Sequence, residues 1–177
     1  MLTSNPNKGT YVKMFLLLLL PFVLMGSGES EENAIAALEN LGGREVQLDE
    51  ESGKVFRVDL RDTQLTDAGL EHLKGLTSLK QLDLRDTQIT DAGLEHLNGL
   101  TSLTALGLMG TQITDAGLET LKCLANLNIL VLYRTQITDA GLEHLEGLTS
   151  LEGLGLGNTQ VTDDGLVTLK GLTSLKS

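Results

Sequence analysis

Three histidines, His72, His96 and His144, are the first side chains to test for chemistry in this sequence. They occupy one position of a pattern that returns every 24 residues, so an imidazole ladder is conceivable. A zinc site needs three or four His, Cys or carboxylate ligands on one ion, at about 2.0–2.3 Å. Neighbouring coils lie about 5 Å apart on the strand side and wider on the outer, helical side, and the same position is Thr120 and Thr168 in the other copies. The set reads as a duplicated surface residue. Asp67, Asp91, Asp115, Asp139 and Asp163 form a second ladder. A catalytic carboxylate pair needs two different environments to separate its pKa values, and copies of one environment cannot supply them. Each aspartate opens a helix instead, where a negative charge suits the positive end. Cys123, the one cysteine, has only Lys122 as a basic neighbour and is expected to be a partly buried structural thiol. There is no Gly-x-Ser-x-Gly, His-Glu-x-x-His or phosphate-binding loop, and Gly153, Gly155 and Gly157 lie on a strand. The expectation is no catalytic residue, no cofactor and no metal.

The elements that carry these residues follow from the repeat. Five units tile residues 57–176: 57–80, 81–104, 105–128, 129–152 and 153–176. A fixed period in this range signals a repeat architecture. In the second unit Leu82 and Leu84 alternate with Gln81, Asp83 and Arg85, the sign of a short strand with one buried face. Leu94, Leu97 and Leu100 then fall at three-residue spacing, one stripe of a short helix. Thr90-Asp91 starts that helix, and Gly99 ends it in a left-handed turn. One strand and one short helix cannot bury their own leucines, but stacked copies close one another's core.

The pattern L-x-x-L-x-L-x-x-T-x-[IL]-T-D-A-G-L-x-x-L-x-G-L resembles the leucine-rich repeat family over 120 of the 177 residues. The family's usual Asn or Cys after the second strand leucine is Thr63, Thr87, Thr111, Thr135 and Thr159, whose hydroxyls are expected to bond the adjacent coil. The T-D-x-G-L stretch is similar to the cysteine-containing, F-box-associated subtype and to exported bacterial relatives. The subtype's cysteine slot holds Gly75, Gly99, Gly147 and Gly171, and only Cys123 keeps the sulfur. The resemblance implies an α/β solenoid, a right-handed, ribonuclease-inhibitor-like horseshoe. Parallel strands would line its concave face and short helices its convex face. It implies binding of a protein partner on the concave face, and no chemistry.

Residues 1–28 hold Lys8, Lys13 and no acid, and Met14–Met25 is a 12-residue apolar run. A membrane span needs about 20 apolar residues, whereas a secretory core needs about 7–15. The reading is an export signal cut near Gly26–Gly28, with an uncleaved anchor as the alternative. The destination would be periplasmic, cell-surface or secreted. Without Lys8 and Lys13, eleven basic side chains face 24 acidic ones, a net charge of −13. Such a chain is repelled by nucleic acid and by anionic membrane. Residues 29–56 read as an N-terminal cap, a helix at Ala34–Leu41 and then a hairpin, which shields the first coil. The array is expected to end at residue 176 without a C-terminal cap. Strand 153–157 is therefore expected to be an open edge, with Leu154, Leu156, Val161, Leu166, Leu169 and Leu172 uncovered. Weak self-association through that edge, fraying of the fifth repeat, or a fragment of a longer product would each fit.

The informative positions are those that the repeat leaves free. Strand residues pointing away from the core are Arg57, Asp59 and Arg61, then Gln81, Asp83 and Arg85, then Ala105, Gly107 and Met109. Ile129, Val131 and Tyr133 follow, then Gly153, Gly155 and Gly157, with Arg134 at the rim. Four of the five arginines sit on or beside this face in an acidic protein. Arg, Tyr and Met are enriched at interfaces. The candidate protein-binding residues are Arg57, Asp59, Arg61, Asp83, Arg85, Met109, Ile129, Val131, Tyr133 and Arg134. Alternatively, the charged residues pair among themselves and the glycines reflect drift. The function classes are a non-enzymatic protein-binding module, a structural or vestigial array, and substrate recognition resembling F-box leucine-rich repeat proteins. No F-box-like segment is visible, and an export signal argues against the third.

Overall fold

The computed structural model describes residues 31–176. The segment read as an export signal lies outside them. Helix α1 (Glu31–Asn40) comes first, then strands β1 (Glu45–Leu48) and β2 (Val55–Asp59). Gly42, at φ +85°, ends α1, and the Gly43 N–H donates to the Leu38 carbonyl at 2.9 Å. β1 runs antiparallel to β2, with Glu45 opposite Asp59. Strands β3 (Gln81–Asp83), β4 (Ala105–Gly107), β5 (Ile129–Val131) and β6 (Gly153–Gly155) then add in parallel, in chain order. Every step of the register is one repeat: Val58, Leu82, Leu106, Leu130 and Leu154 stand side by side.

The opposite wall is made of single helical turns: α2 (Asp91–Leu94), α3 (Asp115–Thr120) and α4 (Asp139–Leu142), each running into a 3-10 turn. The first and fifth repeats have 3-10 turns alone, at Asp67–Leu73 and Gly165–Gly171. Between the walls the repeat leucines form one continuous core, and Leu82, Leu84, Ile89, Leu94, Leu97, Leu100 and Leu103 are each at most 2% exposed. Burying a leucine fully is worth about 1.5–3 kcal/mol. The leucine columns therefore dominate the stability of the stack.

Two side-chain ladders run along the stack; the first corrects the sequence reading and the second adds a bond between coils to it. The threonine after the second strand leucine bonds its own coil. Thr87 Oγ1 donates to the Leu84 carbonyl at 2.6 Å, and Thr111 and Thr135 repeat the bond to Leu108 and Leu132. These threonines are buried, so the hydroxyl satisfies a carbonyl that water cannot reach. The bond between coils is made by the aspartate. Asp67 accepts from the Thr90 N–H at 2.8 Å and from the Thr90 hydroxyl at 2.6 Å. Asp91 holds Thr114, Asp115 holds Thr138, and Asp139 holds Thr162 in the same way. Only Thr138 also accepts from its own helix. The following glycine makes room for the clamp: a Cβ on Gly93, Gly117 or Gly141 would stand 2.2–2.3 Å from the previous coil's aspartate Oδ1. Thr-Asp-x-Gly is thus an inter-coil joint as well as a helix start.

Of the residues expected to lie uncovered in the fifth repeat, Leu172 is buried and Leu166 is 45% exposed. Leu154, Leu156, Val161 and Leu169 are partly buried and pack on the core. Cys123 is exposed, contrary to expectation, because it ends a one-turn 3-10 segment and faces outward. Its one thiol proton has two acceptors in reach, the Thr120 carbonyl at 3.2 Å and Asn98 Oδ1 at 3.3 Å.

Candidate binding face

The outward residues of the strands form rows across the sheet. One row is Arg57, Gln81, Ala105, Ile129 and Gly153, and the next is Asp59, Asp83, Gly107, Val131 and Gly155. The middle of these rows lines a shallow groove of about 240 Å³, and five of the expected residues meet there: Arg57, Asp83, Arg85, Ile129 and Val131. Gln81, Ala105 and Gly107 line it too, with Val58, Leu82 and Leu106 of the strands beneath. Asp59, Arg61, Met109, Tyr133 and Arg134 stand outside it.

The charged half of the face is internally neutralised. Asp59 is buried and accepts from the Arg61 N–H at 3.2 Å, with Arg61 Nε 3.1 Å from its other oxygen. Asp83 accepts from the Arg85 N–H at 3.2 Å and from Arg85 Nε at 2.8 Å, and Nη2 meets Oδ2. Burial pushes the Asp83 carboxyl up, but the Arg85 hydrogen bonds outweigh it and hold the group below its ordinary value. The same pairing raises Arg85. Arg57 differs: its side chain has no carboxylate partner among the described residues, although it is half-buried.

The apolar half has an anchor. Ile129 is 49% exposed and Tyr133 is 44% exposed. The Tyr133 ring lies across the next coil, where a Cβ on Gly155 or Gly157 would come within 2.6 Å or 2.5 Å of ring carbons. These glycines are the seat of the tyrosine. In the same way Gly107 lies under Arg85, whose Cγ would be 3.3 Å from an added Cβ.

A further column at the ends of the strands had no place in the sequence reading. Asp62, Asp86, Gly110, Arg134 and Asn158 all have φ between +53° and +69°. Asp, Asn and Gly tolerate this left-handed conformation and arginine does so poorly, so four of the five identities were a readable signal. Arg134 Nη2 donates to Asp86 Oδ1 at 2.8 Å, two coils away, passing over Gly110. The rim arginine is therefore engaged by this chain. Arg44 pairs with Asp62 at 3.1 Å. Among the described residues no group of three His, Cys, Asp or Glu has metal-holding geometry, and no helix is long and apolar enough to cross a membrane.

The family described as "Leucine rich repeat" matches residues 54–113. Among solved structures, an internalin (inlF) from Listeria monocytogenes aligns at 30% identity over 69% of this chain, with a TM-score of 0.61. The chain spans only 34% of that internalin. Internalin C2 from the same organism aligns at 29% identity, over 80% of this chain and 70% of its own, with a TM-score of 0.52. The BIR2 ectodomain from Arabidopsis thaliana shares the fold at 17% identity, over 77% of this chain and 83% of its own, with a TM-score of 0.56. No curated protein matches the chain. The parallel sheet, the stacked helical turns and these matches define a solenoid, and the chain is a leucine-rich repeat protein.

Proposed function

We propose that this protein is exported and serves as a non-enzymatic binding module, engaging a protein partner with its strand-lined face. Leucine-rich repeat proteins of this kind are generally binding modules, and one neighbour of the fold was solved as the BIR3–SERK2 complex from Arabidopsis thaliana. The observation that carries the reading is the exposure of Ile129 and Tyr133, two large apolar side chains, on the one face where the repeat does not dictate identity. The Met14–Met25 run supports export, with removal near Gly26–Gly28. The Thr-Asp-x-Gly joints together with Cys123 favour a subtype resembling the cysteine-containing repeats.

A photo-cross-linking amino acid placed at Tyr133, and separately at Glu119 on the helical wall, tests the assignment in the exporting cell. A discrete protein adduct from position 133 and none from 119 is expected. No adduct at 133, or equal adducts from both positions, would reject the strand-lined face as the binding surface.

A further inference from the structure

Of the five arginines, Arg44, Arg61, Arg85 and Arg134 each hold a carboxylate of this chain. Arg57 alone holds none among the described residues, and it lines the groove. The protein carries a net charge of −11, so an unpaired, half-buried cation on its most variable face is out of keeping with its surroundings. A desolvated guanidinium gains most from a carboxylate that can accept two of its hydrogen bonds. Asp83, one strand away, is already taken by Arg85. At the far side of the groove Ile129 and Val131 offer an apolar floor, and between the two ends lie Gln81 and Ala105 in the row of Arg57, with Gly107 beneath the Asp83–Arg85 pair in the next row. The groove thus has one end with an unpartnered cation, one apolar end and a middle whose charges are already paired.

We propose that the groove takes an extended segment of the partner protein that carries a carboxylate on Arg57 and a large apolar side chain over Ile129 and Val131, four residues apart. This rests on the binding role proposed above and adds the chemistry of the partner. The spacing comes from the sheet. Arg57 on β2 and Ile129 on β5 are in one row, three strand steps apart. At about 4.8 Å per step the gap is about 14 Å, which an extended chain rising about 3.3 Å per residue covers in about four residues. Residues i and i+4 of an extended chain also point to the same side, whereas i+3 and i+5 point away. Parity and distance therefore select the same peptide. Nucleic acid fits neither the overall charge nor the single cation.

The test uses the full chain and fluorescein-labelled nine-residue peptides built from Gly, Ser and Thr. Each has one Leu or Tyr and one Glu at a spacing of three, four or five, in both orders, and anisotropy reads binding. The spacing of four should bind about tenfold tighter than three or five. Arg57→Glu should weaken that peptide at least about tenfold and transfer the preference to the version with Lys in place of Glu. Circular dichroism of the variant checks that the fold is kept. No binding, equal binding at all spacings, or an Arg57→Glu variant that binds like wild type would overturn the proposal. If such a result accompanies adducts from position 133, the face binds a partner of other chemistry. If adducts are absent too, the binding role falls with it.

Discussion

The two walls of the solenoid treat the same repeat differently. On the helical wall Thr-Asp-x-Gly is copied almost without change, because Asp67, Asp91, Asp115 and Asp139 each hold the next coil's threonine and Gly93, Gly117, Gly141 and Gly165 leave room for them. On the strand wall the leucines are copied, but the residues between them run from Arg57 to Ile129 to Gly153 along one row. Backbone hydrogen bonds join the strands whatever those side chains are. Repetition therefore marks where neighbouring coils bond through side chains, and variation marks where the molecule is free to face something else.

The largest expected effect comes from making one substitution on both walls. Gly117→Ala places a Cβ 2.3 Å from Asp91 Oδ1 and 2.9 Å from Ile113 Cγ2. Asp91 is pinned by two hydrogen bonds to Thr114 and cannot swing away without losing them. The cost should be about 2–3 kcal/mol, the range for overpacking combined with loss of a charge-assisted bond. Gly153→Ala meets only Ile129 Cγ1, at 3.8 Å, and its φ is not left-handed. It should be neutral or stabilising by about 0.5 kcal/mol, since alanine restricts the unfolded chain. Urea unfolding of the two variants measures the contrast. Equal destabilisation would mean that the walls are not distinguished by their side-chain joints.

The second effect is acid sensitivity of the helical wall. Hydrogen bonds from the Thr162 N–H and hydroxyl hold the Asp139 carboxyl below its ordinary value of 3.8. In the window below that value the unfolded chain binds a proton that the folded one refuses, so stability rises with pH there. The contribution is present above the unfolded value and is lost as pH falls through the folded one. Asp83 on the strand wall, lowered by Arg85, acts in the same direction. Asp139→Asn should flatten the fall in unfolding midpoint between pH 5 and pH 2.5, approximate limits set by ordinary carboxylate titration. An unchanged pH profile would remove the carboxylate from the joint.

Much of the frame was legible beforehand, and the reason is geometric. A 24-residue period fixes which residues share a column, so the buried positions of Leu82, Leu84, Leu94 and Leu97 followed at once. The period does not say which coil a polar side chain bonds. Thr87 was assigned to the neighbouring coil and bonds its own, while Asp91 was assigned to its own helix and bonds the neighbour. Side chains on the strand wall lean toward the next coil, so the partner of Tyr133 is found one repeat on, at Gly155 and Gly157. A glycine pair opposite an aromatic in the register was the available clue. The left-handed column was missed because it sits just beyond each strand, where neither the alternation of the strand nor the spacing of the helix applies.

The smallest expected effect lies on the border between the walls, where two terms nearly cancel. Arg134 holds φ +57°, a conformation that costs a side chain about 1–2 kcal/mol. Its guanidinium recovers part of this by bonding Asp86, but the two side chains are 57% and 31% exposed. A pair so open to water is worth about 0.2–1 kcal/mol and weakens in salt. The next coil solves the same problem with Asn158, a residue that tolerates φ +56°. Arg134→Asn should therefore stabilise the fold slightly, by about 0.5 kcal/mol, with the gain growing as salt screens the wild-type pair. Thermal unfolding of both proteins at low and at high salt reads the difference directly. A variant that is clearly less stable at both ionic strengths would show that the link from Arg134 across Gly110 to Asp86 outweighs the backbone strain. The rim would then belong with the helical wall, as a joint, and not with the variable face.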